Sequence, residues 1–141
     1  MGGMCMRNLS VILGLLLFLL AGCNNNFQPE LTRIDAQKIS FDGTKNGEER
    51  IIADKQSLQA IEQAMSKVTW EPNTKADMAR REDAIATFFV QEEKNMPERL
   101  YEYRIWFEGE TATIISSKEN EGYGRLVAKD QVHFLEAELL D

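Results

Sequence analysis

Ala84 to Ser117 reads AIATFFVQEEKNMPERLYEYRIWFEGETATIISS. Its middle alternates. Tyr101, Tyr103, Ile105 and Phe107 point one way, and Leu100, Glu102, Arg104 and Trp106 the other. That period of two is the mark of a strand with a buried face and an outer face. Ala84 to Gln91 before it is rich in β-formers, and Thr111 to Ser117 after it is β-branched. Glu92 to Glu98, containing Pro97, marks one turn between these runs, and Gly109 marks the other. Strands joined in sequence by short turns pair antiparallel.

Outward from this block, Lys118 to Gly122 reads as a charged loop and Tyr123 to Ala128 as a short strand. Lys129 to Leu140 reads as a closing helix with Val132, Leu135 and Leu139 on its buried stripe. On the other side, Asn73 to Asp83 is polar and charged, a loop or a short helical turn. Gln56 to Val68 places Leu58, Ile61, Met65 and Val68 on one helical face, widened by Ala60 and Ala64. Asp54 is positioned as its N-cap. Thr69 to Asn73 ends it, because the residue before Pro72 disfavours the helical region. Leu31 to Phe41 and Glu48 to Ala53 read as a hairpin around the turn formers of residues 42–47, and a phase change in the first strand suggests a bulge. The order ββα-ββββ-α predicts an α+β fold: an antiparallel sheet of about five to six strands with two helices packed on one face.

The chain has 141 residues, 43% hydrophobic and 28% charged, within the range of one globular domain. Its net charge is -7, which argues against a polyanionic partner such as nucleic acid. Arg7 is the one charged side chain of residues 1–22, so the remainder is more acidic still.

Val11 to Leu20, VILGLLLFLL, is apolar and uncharged. It is too short for a stable span, which takes about 20 residues, and has the length of a secretory signal's apolar region. Leu20-Ala21-Gly22-Cys23 follows directly. This resembles the lipobox of bacterial lipoproteins. The resemblance implies that Cys23 carries diacylglycerol through its sulfur, that cleavage falls before it, and that the protein is held on the extracytoplasmic face of the cell membrane. Two alternatives stay open: cleavage by the ordinary signal peptidase with Cys23 left as a free thiol, and an uncleaved signal anchor. Removal of the leader takes Cys5 with it, and one cysteine forms no intramolecular disulfide. The expected organisation is a signal peptide at residues 1–22, the lipidated cysteine and a polar tether at 23–30, and a single domain at 31–141. Lipobox, short tether and one small α+β domain together resemble the YhfM-like group of lipoproteins of Bacillus-type bacteria. That resemblance implies location and fold class, and no activity or site.

Residues carrying chemistry are sparse. Asp42, Asn46 and Gly47 match positions 1, 5 and 6 of a calcium loop, but Ala53 stands where its bidentate glutamate belongs, and a hairpin turn explains the same residues. His133 is the single histidine, so zinc or base catalysis lacks its cluster. Neighbouring acids such as Glu82 and Asp83 point to opposite faces of a strand, and Arg80-Arg81 is a basic doublet too small for a nucleic-acid footprint. No glycine-rich phosphate loop occurs. No catalytic residue, metal ligand or cofactor is therefore expected. The sheet's outer face would carry Phe89, Trp106 and Ile115. Either this is an apolar surface for an envelope protein partner, or the loop at 73–83 covers it. The expected function is a binding or interaction module of the cell envelope. The competing readings are a hydrolase whose carboxylates meet in the fold and an accessory or sensory subunit.

Overall fold

The computed structural model describes residues 26–141. The leader at 1–22 and the anchor position Cys23, both expected from the sequence, lie outside the described residues. In chain order the elements are β1 (Glu30–Lys38), β2 (Arg50–Ile52), α1 (Lys55–Met65), β3 (Thr69–Glu71), β4 (Ala84–Gln91), β5 (Arg99–Glu108), β6 (Thr111–Ser116), β7 (Tyr123–Leu126) and α2 (Lys129–Leu140). The strands form one sheet in the order β2-β1-β4-β5-β6-β7-β3, and every neighbouring pair is antiparallel.

The fold is α+β, with seven strands instead of five to six. The added strand is β3, which pairs with β7 at the sheet edge. The restriction that Pro72 places on Glu71 suits an extended strand as well as a helix end. The pairing is made possible by Gly124, which faces Trp70 across the two strands. A Cβ there would stand 2.5 Å from the Trp70 ring. Two other expectations shift at their edges. β1 stops at Lys38, leaving Ile39 in an isolated bridge with Lys45 and Phe41 exposed. Its irregularity falls between Leu31 and Arg33, earlier than the phase change placed it.

Strand alternation builds the core. Ile34, Ala36, Ala84, Ala86, Phe88, Tyr103, Ile105, Ile114 and Leu126 form one inner face. It packs against Leu58, Ile61 and Ala64 of α1 and Val132, Leu135 and Leu139 of α2. The small side chains of Ala36, Ala84 and Ala86 leave depth for the helices, which touch each other and β1. Ile61, Ile105, Ile114 and Leu135 are fully buried, each worth about 1.5–3 kcal/mol of burial. Asp54 caps α1, its carboxylate accepting from the Ser57 N–H at 2.8 Å. Gly109, at φ 74°, opens the two-residue loop between β5 and β6.

Residues 72–83 form a strap with no regular structure that links β3 to β4. The strap lies on the outer face of the sheet. Trp106 donates its indole N–H to the Arg80 carbonyl at 2.8 Å, and the Phe107 N–H donates to the Asp83 carboxylate at 2.7 Å.

Candidate functional site

A groove of about 370 Å³ opens between the last turns of α1 and the inner face of the sheet. Phe88 and Val90 of β4 and Tyr103 of β5 line it, together with Trp70 of β3, Met65 of α1 and Val68 just beyond α1. The aromatic rings run in series. Phe88 and Tyr103 have centroids 4.5 Å apart at 50°, and Tyr103 and Trp70 are 6.3 Å apart at 47°. Trp70 stands at the far edge of the sheet, yet it reaches Tyr103 because Gly124 of β7 offers no side chain in between. Tilted ring pairs at such spacings present a large, stiff apolar wall.

The rim is polar. Glu62 and Ser66 come from α1 and its C-cap, and Lys118 and Glu121 from the loop between β6 and β7. Ser116 donates its hydroxyl to Glu121 at 2.7 Å. Burial, and then the neighbouring Glu121 carboxylate, push the Tyr103 phenol far above its ordinary value, so it stays a neutral donor at any physiological pH. Partial desolvation raises the Glu62 carboxyl, although the residue is exposed at the rim. Lys118 sits 5.1 Å from the Tyr101 ring centroid, and Tyr101 donates its hydroxyl to Glu92. The groove thus joins an aromatic wall to a few convergent polar groups, the usual composition of a small-ligand site.

The groove faces the end of the domain where the chain arrives. Pro29 lines it, and β1 begins at Glu30, one residue before the expected domain start. Pro29 is six positions along the chain from Cys23, a reach of roughly 20–22 Å when extended.

The residues expected to form an outer partner surface do not come together as one. Trp106 is 1% exposed and lies beneath the strap, so of the two alternatives it is cover by the loop at 73–83 that the structure has here, and Trp106 is no part of an open surface. Ile115 is half-buried beside it. Phe89 is elsewhere. It faces Leu100 on β5, whereas Ile115 faces Arg104, a step of roughly 13 Å along the strand. The Arg33 guanidinium covers the Phe89 ring at 4.0 Å and is itself paired with Asp35 at 2.7 Å. Arg33 and Asp35 alternate outward on β1, and pairing the two strands sets this cover over Phe89.

The remaining sequence candidates have local roles. The Asp42 carboxylate accepts from the N–H and hydroxyl of Thr44, at 3.0 and 2.7 Å, within the turn between β1 and β2. His133 is exposed on α2. Among the described residues, no three His, Cys, Asp or Glu side chains gather as a metal site. The groove itself was missed in the sequence. Trp70 was read only as part of a helix end, and the glycine that lets it lie across the sheet is 54 residues away. Compared with known proteins, the chain matches no family model, no curated protein and no solved structure.

Proposed function

We propose that the protein is a lipid-anchored, extracytoplasmic binding module of the cell envelope, and that the tether-side groove is its ligand site. One observation carries the binding reading: the groove walled by Phe88, Tyr103 and Trp70 is already open, and the strand that forms its mouth is the one joined to the tether. The lipobox and the resemblance to small YhfM-like lipoproteins support the location. Two acyl chains on Cys23 give lasting attachment where one gives only marginal binding. A short tether then keeps the groove within reach of molecules at the membrane surface or of an envelope protein.

The test is photocrosslinking in intact cells. A photoreactive side chain at Met65, in the groove, is expected to give a discrete adduct that disappears when Val68→Trp fills the site. The same group at Gln63, exposed on α1, is the control. Adducts that are equal at both positions, or that survive Val68→Trp, would contradict a groove-directed ligand.

A hydrolase is the second reading, favoured by two carboxylates of unlike environment in the same groove. Glu62, at the exposed rim, is raised by partial desolvation, and Glu121 accepts from Ser116. Two carboxyl groups lining one cleft are what glycoside hydrolysis uses. If the ligand captured at Met65 is the same intact molecule in wild type, Glu62→Gln and Glu121→Gln, with no cleaved form in any of them, the hydrolase reading is contradicted.

A further inference from the structure

The tether-side groove carries charge as well as aromatic surface. Phe88 and Tyr103 are its buried floor. Trp70, Met65 and Val90 are half-buried and give it an open apolar wall. Two carboxylates line it from different elements, Glu62 from α1 and Glu121 from the loop between β6 and β7. Among the described residues neither has a salt-bridge partner. Partial desolvation raises the Glu62 carboxyl, the Leu31 backbone opposes it, and the charge of Glu30 raises it further; no cation acts on it. Glu121 meets hydroxyl groups, accepting from Ser116 at 2.7 Å and facing the Tyr103 phenol. Lys118 is the one cation among the lining residues, and its ammonium stands over the Tyr101 ring at 5.1 Å. Two carboxylates against one ammonium leave the lining negative.

We propose that the ligand of this groove is a small organic cation, an ammonium group carried on an apolar body. This rests on the reading of the groove as the ligand site and names the chemistry it takes. The body packs on Trp70 and Met65, and the ammonium lies in the field of Glu62 and Glu121. Ring faces attract ammonium groups, and indole does so most strongly. The carboxylates set the sign, because an anion there would meet like charge. The volume of about 370 Å³ falls at the small end of ligand sites, roughly 300–1,000 Å³, so the bound part is compact. The buried floor is ordered before the ligand arrives, which lowers the cost of binding. A free amine and the headgroup of an aminolipid share this chemistry.

The full-length protein in uncharged detergent micelles can be titrated by calorimetry with choline and, separately, with phenethylammonium. Each is compared with its uncharged isostere, carbon replacing the nitrogen of choline and hydroxyl replacing the ammonium of phenethylammonium. Saturable one-to-one binding of at least one cation is expected, weakened by salt and about tenfold tighter than its isostere. Charge variants should act in opposite directions: Glu121→Gln weakens binding about threefold and Lys118→Gln tightens it about as much. No saturable binding of either cation, an isostere that binds as tightly, or Glu121→Gln and Lys118→Gln shifting affinity the same way would each overturn the assignment. The mass of the ligand captured at Met65 in intact cells separates the two sources, a phospholipid or a small amine. A captured ligand without a basic nitrogen would overturn the cation assignment and leave the groove as the ligand site. Absence of any groove-directed adduct would overturn both.

Discussion

The Trp106 indole N–H donates to the Arg80 carbonyl at 2.8 Å, tying the middle of β5 to the strap that crosses it. This contact turns a residue that would face solvent on a bare sheet into one of the most buried side chains of the molecule. Trp106→Ala should therefore act on the fold first. It is expected to cost about 3–5 kcal/mol, read by urea denaturation. Trp106→Phe keeps most of the packing, leaves the Arg80 carbonyl without its donor, and should cost about 1–3 kcal/mol. Equal stability of wild type and Trp106→Ala would mean that the strap is not seated on the indole.

Arg104 and Glu82 give a pH signature. Burial alone would raise the Glu82 carboxyl, but the hydrogen bond and charge of Arg104 outweigh it and hold the group below its ordinary 4.5. A carboxylate lowered in the folded state contributes stability above its unfolded value, and loses it as pH falls through the folded value. Arg104→Met leaves Glu82, 7% exposed, without its partner. The pair is half open on the arginine side, so the expected cost at pH 7 is about 1–3 kcal/mol, below that of a fully buried pair. The gap between variant and wild type should narrow as pH drops below 4.5. A gap that is constant from pH 7 to pH 3 would contradict the pairing.

Gly124 and Trp70 can be tested together. Gly124→Ala places a methyl group against the indole and is expected to cost about 1–3 kcal/mol through overpacking. Trp70→Ala in the same chain should recover part of that loss, because the clash is removed. Additive losses in the double variant would show that the two residues are not in contact.

The described domain, residues 26–141 made without leader or lipid, contains no cysteine and so no disulfide. Its melt should be cooperative, with coincident transitions by circular dichroism and tryptophan fluorescence, and unchanged by reductant. Separate transitions for the two probes would contradict a single core.

What the sequence made legible follows from the range of the interactions involved. β4 and β5 were readable because alternation is local, and α1 because Leu58 and Ile61 repeat at helical spacing and Asp54 caps it. β3 was not readable. Three residues carry too little pattern, and their pairing depends on Gly124 far along the chain. On the outer face alternation placed Trp106 outward, and the length of the loop at 73–83 offered a cover for it. The cover of that face by Arg80's segment and by Arg33 is set by tertiary contacts between distant residues. The groove shares this origin, since its walls come from elements remote in sequence.

In the proposed function the domain is held on the extracytoplasmic face of the cell membrane through a lipid on Cys23. Mass spectrometry of the N-terminal peptide from protein purified out of native membranes tests this most directly. The expected peptide begins at Cys23 and carries the mass of diacylglycerol on that residue. A peptide that begins upstream of Cys23, or that carries its thiol unmodified, would contradict the account.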